Sequence, residues 1–596
     1  MVFSSATTFR GIATRLMPVA ALAILSAGMA APVSAQDPSL VKVQYRCGNY
    51  FRITNANAVP VNVTWDIYQT GDNGAVTLPA KWAPYANSET YVNTPNRGSL
   101  RLKFGGKVIA TKGNGGQACP AQATMGSWSP RFSWWPKHVC GFNGCNDSSV
   151  AIAANLLPNG KVMTWGRRRE GEEPVIWDPV ANTFTQAAVP DSDLFCSGHT
   201  MLADGRIMIA GGNRSFPYND GTGPPIVAFY NWQTDTWTRG TDMEVGRWYP
   251  TAVTLANGNI LVVSGSDTLG GSIVTQAIPD LYTPAGARTT LTAASLVLPL
   301  YPRLFVAPNG KVFYAGEAPQ SMWFNTTTNL WETGPFTALG INRDYGSAVM
   351  YDGKVMYVGG GQPPTATTEV IDLNAGSPSW HVAGSLISGA RRQMNATLLA
   401  DGKILATGGS GGSPGFNPGA PARYDAEMFD PVTENWTVMA SMNRARFYHN
   451  TALLLTDGRL IAMGSGEPSP DAHYTDDSTR NAEIYSPPYL YNPDGTLTQR
   501  PVITSLSTST LTYGGAVTIN TPNGSNIIRV NLIRLGTVTH AFNVGQRLNT
   551  LAFGTSSTTV TATMPASANL APPGYFLIFI IDNRGVPSLG QIIWLH

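Results

Sequence analysis

Down the middle of the chain one phrase of polar and apolar positions recurs: Asn or Asp, then Gly, then a basic or polar residue, then four or five mostly apolar residues that usually end in Gly. It reads NGKVMTWG from Asn159, DGRIMIAGG from Asp204, NGNILVVSG from Asn257, NGKVFYAG from Asn309, DGKVMYVGG from Asp352, DGKILATGG from Asp401 and DGRLIAMG from Asp457. Asn-Gly and Asp-Gly supply the positive φ of a tight hairpin turn, and the β-branched run behind each reads as a strand buried on both faces. Most units add an aromatic further on, at Phe184, Trp237, Trp331, Trp380 and Trp436, where a later strand packs.

The central glycines, Gly160, Gly205, Gly258, Gly310, Gly353, Gly402 and Gly458, lie 43 to 56 residues apart, the period of kelch-type propeller blades. One such unit cannot bury its own faces, so neighbours stack around an axis and the ring closes. The expected fold is all-β, with a seven-bladed kelch-type β-propeller over residues 123–499. Residues 36–122 alternate apolar and polar in short runs such as Val41-Lys42-Val43-Gln44-Tyr45, which reads as an N-terminal β-sandwich. Residues 500–596, with Ala516-Val517-Thr518-Ile519 and an apolar run at 574–581, read as a C-terminal immunoglobulin-like sandwich.

Composition adds a compartment and removes some partners. Arg10 and Arg15 precede an apolar run at 17–31, and Val33-Ser34-Ala35 offers small residues for cleavage, so residues 1–35 read as a signal peptide and a secreted or periplasmic protein is expected. A net charge of +2 with only 13% charged residues gives no support for nucleic acid or a membrane surface as partner, and a monomer is expected. Five cysteines in an exported chain invite the pairs Cys47–Cys119 and Cys140–Cys145, which leaves Cys196 over.

Only seven histidines are available for chemistry. Tyr448 and His449 stand together just before the last repeat phrase, and because neighbours in a strand point to opposite faces, both can reach one site only from an irregular backbone. A Tyr-His pair alone is more often core filling. Two earlier blades add Gly246-Arg247-Trp248-Tyr249-Pro250-Thr251 and Asp193-Leu194-Phe195-Cys196-Ser197-Gly198-His199, and the last domain adds Leu535-Gly536-Thr537-Val538-Thr539-His540 with Asn543-Val544-Gly545-Gln546-Arg547. In this order the residues resemble the copper radical oxidases, galactose oxidase and glyoxal oxidase, from about residue 125 to the C-terminus.

The resemblance implies a copper held by Tyr249, Tyr448, His449 and His540, and a thioether joining Cys196 to Tyr249, whose ring carries a tyrosyl radical. Imidazole and phenolate donors suit Cu(II), whereas zinc would lack the one-electron change. It further implies oxidation of small aldehydes or simple primary alcohols, with Tyr448 as general base and dioxygen reduced to hydrogen peroxide. Asp267 stands where galactose oxidase stacks a tryptophan over its cross-linked tyrosine, which leans the reading toward the glyoxal oxidase branch; Arg303 and Gln393 fall near pocket-lining positions. Two other readings stay open: a non-catalytic glycan-binding propeller, with the N-terminal sandwich as a further glycan contact, and a zinc or calcium hydrolase, disfavoured by the lack of an H-E-x-x-H motif.

Overall fold

The computed structural model describes residues 36–596 except 48–49, 60, 69–72, 79–87, 94–98, 114–121, 135–138, 142–143, 147–149, 168–172, 215–220, 413–420, 466–479 and 492–496. The expected signal peptide and Cys119 lie outside the described residues, as do the side chains of Cys47, Cys140 and Cys145, so both expected disulfides fall there too.

Each repeat phrase forms the turn between the first two strands, and the second of those strands, in a four-stranded antiparallel blade. Around Gly258, Thr251–Thr254 and Ile260–Val263 are followed outward by Asp280–Tyr282 and Arg288–Thr290. These first two strands are buried along their whole length, as strands covered on both faces must be. Among the described residues seven such units follow in sequence, from the one that begins at Ala153–Leu156 to the one that begins at Thr451–Leu454. The last takes its outer strand from the other end of the ring: Ser127–Trp128 pairs antiparallel with Asn481–Ser486, so backbone hydrogen bonds close the circle.

The turns depart from expectation in one respect. All seven central glycines take φ between 77° and 92°, where a Cβ would be strained. Of the residues before them only Asp352 shares the left-handed region, at φ 46°, in a two-residue hairpin between Tyr351 and Lys354. In the others the Asn or Asp oxygen accepts the N–H two residues on, as Asn257 Oδ1 does from Asn259 at 3.0 Å, giving an Asx turn inside a longer loop.

Three of the later-strand aromatics fasten their blade to the one before it. Trp237 Nε1 donates to the Ala188 carbonyl at 2.7 Å, Trp380 Nε1 to Ser321 Oγ at 2.9 Å and Trp436 Nε1 to Thr368 Oγ1 at 2.8 Å. A second device is a buried ion pair within a blade: Arg247–Asp280 at 2.8 Å, Arg343–Glu369 at 2.8 Å, Arg391–Glu427, and Arg446–Glu483 at 3.2 Å. Each arginine lies just ahead of an inner strand, and each carboxylate lies on the third strand. Arg446→Ala strands the fully buried Glu483 charge and is expected to cost about 3–5 kcal/mol in a denaturant titration; a loss below about 1 kcal/mol would show the pair to be dispensable.

The N-terminal sandwich packs Val41–Cys47, Tyr50–Asn55 and Ser88–Asn93 against a four-stranded sheet around Phe51, Ile53, Val63, Leu100 and Leu102. The C-terminal sandwich encloses Val517, Ile519, Val530, Leu532, Phe576 and Ile578. From it a hairpin, Thr537–Thr539 with Phe542–Asn543, enters the propeller. Its first strand pairs with Ala153–Leu156. Ser347 Oγ donates to the Ala541 carbonyl at 2.8 Å, and Gln546 Nε2 to the Ala396 carbonyl at 2.7 Å. Contact with three separate blades places this finger on the ring axis.

Candidate metal centre

A side chain at the head of an inner strand must be turned out of the blade to reach that axis. Cys196, Tyr249, Tyr301, Tyr345, Gln393 and His449 share the device that does so, a left-handed backbone with φ between 48° and 64°. Such a residue costs about 1–3 kcal/mol, and the surrounding fold must over-determine it. Here the determinants are visible. The N–H of Tyr249 donates to the Cys196 carbonyl at 3.0 Å, that of Tyr301 to Tyr249 at 2.9 Å and that of Gln393 to Tyr345 at 2.9 Å. Asn450 Nδ2 donates to the Gln393 carbonyl at 2.7 Å. The Arg303 guanidinium spans the remaining gap, donating to the carbonyls of Tyr301 at 2.5 Å and Gly346 at 2.9 Å.

This belt and the finger converge. His540, at φ 47°, arrives beside the first blade, whose inner strand shows no left-handed corner among the described residues. The hydroxyls of Tyr249 and Tyr448 are in hydrogen-bond contact. The Tyr448 ring stacks on His449 at 3.8 Å, and the His540 ring lies 4.5 Å from Tyr249 and 4.7 Å from His449. One donor atom each from Cys196, His449 and His540 fall within 4.8 Å of one another. All five residues are at most 5% exposed. His449, at φ 64°, supplies the backbone irregularity that two adjacent inward-facing side chains require.

The electrostatics suit a cation. Burial, with His449 and Arg303 adding to it, holds the His540 imidazole neutral, well below its ordinary pKa. Its Nδ1 lies 2.6 Å from Thr539 Oγ1, while its Nε2 is buried with no hydrogen-bond partner among the described residues. Burial, then Cys196 and Tyr448, raise the Tyr249 phenol well above its usual range, so its oxygen keeps a proton until a positive charge compensates. Imidazole nitrogen and phenol oxygen converging in a buried site are donors of the N,O kind that suits Cu(II).

Other expected site residues lie around this group. Gln393 is on the belt, buried, with neither amide atom hydrogen-bonded among the described residues. Arg303 is buried and bridges carbonyls of two blades. Asp267 is buried and accepts from Arg214 Nη2 at 2.7 Å. One expectation is corrected: Tyr249 does not lack an indole cover, because Trp248, the residue before it, stacks on its ring at 3.6 Å and 11°. The motifs also leave out Tyr301, stacked on Tyr249 at 4.4 Å, and Tyr345, set edge-on to Tyr448 at 5.7 Å. The repeat register finds both. Cys196, Tyr249, Tyr301, Gln393 and His449 each stand nine residues before their blade's central glycine, and Tyr345 stands eight before Gly353.

His199 is not in the group. It packs edge-on to Trp165 at 4.9 Å, and burial lowers its pKa to about 3. The unfolded chain takes up a proton near the usual histidine value of about 6.5 that the folded state refuses until about 3, so the stability of the metal-free protein falls as pH drops through that window. His199→Leu is expected to flatten the slope of unfolding free energy against pH by on the order of 1 kcal/mol per unit; identical slopes would contradict a buried neutral His199.

Comparison with known proteins bears on both the scaffold and the centre. Residues 500–595 match the model described as galactose oxidase-like, early set domain, and residues 391–443 match the kelch motif. Galactose oxidase of Gibberella zeae is 30% identical over 492 residues, 74% of this chain and 68% of that one. An aldehyde oxidase, GLOX, of Vitis pseudoreticulata is 26% identical over 68% of this chain and 82% of its own. A solved fungal alcohol oxidase in complex with copper shares the fold at a TM-score of 0.69 and 24% identity, over 79% of this chain and all of that one. A relative this similar over this much of both chains, on an all-β kelch scaffold ending in an early set domain, decides the family: the chain belongs to the galactose oxidase family of copper radical oxidases.

Proposed function

We propose that this enzyme oxidises small aldehydes in their hydrated form, or simple primary alcohols, at the centre formed by Tyr249, Tyr448, His449 and His540. The observation that carries the reading is the meeting, on one axis, of two phenols and two imidazoles from three separate parts of the chain, with the Cys196 sulfur beside them. Copper bound by those four side chains would supply one redox equivalent and a Lewis-acidic position, and the Tyr249 ring, joined to Cys196 as a thioether, would supply the second as a tyrosyl radical. In this reading the Tyr448 oxygen takes the substrate hydroxyl proton. Tyr249, held by its stack, by the Cys196 carbonyl and by the Tyr301 N–H, removes the hydrogen atom from the adjacent carbon. Fixing such geometry is worth several orders of magnitude in rate. The balance is a primary alcohol plus dioxygen giving aldehyde plus hydrogen peroxide, or an aldehyde hydrate plus dioxygen giving acid plus peroxide.

The preference for aldehydes rests on the wording around Cys196 and Tyr249. The missing indole no longer supports it, since Trp248 provides one. In this reading Gln393, whose buried amide has no hydrogen-bond partner among the described residues, meets a substrate oxygen. No described helix is long and apolar enough to cross a membrane. The leader-like N-terminus supports export, and the N-terminal sandwich is the part we assign to glycan contact, in a monomeric enzyme.

A peroxide-release assay on copper-treated protein tests the function. Turnover with glyoxal, methylglyoxal or simple primary alcohols is expected to exceed that with galactose, at about one copper per chain. Faster turnover of galactose would overturn the aldehyde assignment alone. No peroxide from any substrate, with copper bound, would leave the glycan-binding propeller as the better reading.

A further inference from the structure

Tyr301 is buried at the metal centre, yet neither the ligand set nor the oxidation scheme uses it. Its ring stacks on Tyr249 at 4.4 Å and 29°, while Trp248 stacks on the same ring at 3.6 Å and 11°. Two rings cannot occupy one face, so Tyr249 is held between them. Tyr301 also touches the chain on both sides of the expected thioether. Its N–H donates to the Tyr249 carbonyl at 2.9 Å. Its hydroxyl donates to the carbonyl of Ser197, the residue after Cys196, at 3.0 Å, and the Tyr249 N–H in turn donates to the Cys196 carbonyl at 3.0 Å. Cys196, Tyr249 and Tyr301 thus form a closed loop of contacts across three adjacent blades.

We propose that Tyr301 is the positioning residue for thioether formation, its ring fixing the plane of Tyr249 and its hydroxyl fixing the Cys196 loop so that sulfur meets ring carbon. The inference rests on the cross-link assigned above. In the reaction a sulfur–carbon bond forms as one S–H and one aromatic C–H bond break, and the two electrons and two protons released pass to one dioxygen, giving hydrogen peroxide. The bond needs sulfur and carbon aligned throughout, and a reacting pair held in place gains rate over one that must find its geometry. A left-handed Cys196 and a left-handed Tyr249 fix only the backbones. The contacts of Tyr301 fix one side chain against the other strand.

The experiment follows the mass of metal-free protein after copper is added under air. Wild type is expected to lose two hydrogens. Tyr301→Phe keeps the stack but not the bond to Ser197 and should cross-link severalfold more slowly, as loss of one positioning hydrogen bond implies. Tyr301→Leu loses both and should be slower by more than tenfold, with copper content unchanged in both variants. Because the readout is mass rather than turnover, it separates positioning from catalysis. A wild type that never loses the hydrogens sinks the cross-link and this role with it. A wild type that loses them, with both variants keeping pace, sinks only the role of Tyr301. Should Tyr301→Leu fail to fold, Tyr301→Phe decides, and wild-type kinetics in it would overturn the proposal.

Discussion

Cys196→Ser is expected to fold, to bind copper as tightly as wild type and to lose oxidase turnover by roughly two to three orders of magnitude, about 3–4 kcal/mol of activation free energy. The expectation follows from what the side chain does and does not touch. The sulfur is not one of the four proposed ligand atoms, and Cys196 ties itself to Tyr249 through its backbone carbonyl. Serine keeps that carbonyl and nearly the same volume, so the penalty in stability is that of a hydroxyl placed in an apolar pocket with Phe195 and Ile152, about 1–3 kcal/mol. What serine cannot do is form a thioether. An unmodified phenol is harder to oxidise, and its radical is harder to keep. The competing account treats Cys196 as a small buried hydrophobe, which is how most free cysteines behave. It forecasts the opposite: a modest loss of stability with full activity per folded molecule. Turnover per bound copper discriminates the two, together with a digest of wild type. A Cys196–Tyr249 linked peptide that survives reducing agent supports the first, since a disulfide would separate. Full activity in the serine variant, with peptides that separate cleanly, would remove the radical mechanism.

The scaffold was legible in the chain because its information is local and repeated. A glycine that must take φ near 80° and a strand covered on both faces each leave a mark at one position, and the repeat writes those marks at every blade. Cys196, Tyr249, Tyr448, His449 and His540 were legible for a different reason: they are rare residue types in a fixed order, and a resemblance carried them. Trp248 was obscured by that same resemblance, which directs attention to Asp267. An indole can cover the Tyr249 ring from the adjacent residue as well as from a neighbouring hairpin, and nothing in a linear motif distinguishes the two routes. Tyr301 and Tyr345 carry no motif of their own. They become visible only once the left-handed corner is known to recur at a constant offset from the turn glycine, a three-dimensional rule laid over a one-dimensional period. The Asx turns show the converse, in which the residue type signals a turn but not the means by which the turn is made. An Asn or Asp before glycine satisfies a turn either through its own φ or through its side-chain oxygen, and loop length decides which.

His540→Ala is expected to abolish tight copper binding while leaving the fold almost untouched. His540 is the proposed ligand from outside the ring, and most bonds that hold its hairpin do not involve the imidazole. Thr537–Thr539 is paired with Ala153–Leu156, Thr539 Oγ1 donates to the Ile152 carbonyl at 3.0 Å, and Gln546 is held by the backbone of Ala396 and Leu398. Those bonds survive the substitution. The cost to the metal-free protein is the cavity left by a ring and the lost contact of Nδ1 with Thr539 Oγ1, while the buried Nε2 has no hydrogen-bond partner to lose among the described residues. For the metal the consequence is larger, since one nitrogen of a four-residue donor set is gone and alanine offers nothing in its place. Metal analysis after copper loading and dialysis should therefore give about one copper per chain for wild type and close to none for His540→Ala, and His449→Ala should match it. The metal-free unfolding midpoints of His540→Ala and wild type should differ by no more than about 2 kcal/mol in free energy. Copper retained in full by both histidine variants would show that the ligands lie elsewhere. Retention in His540→Ala alone would turn attention to His199, whose ring nitrogens are also buried without partners among the described residues, and would mean that the finger on the axis serves packing rather than the metal.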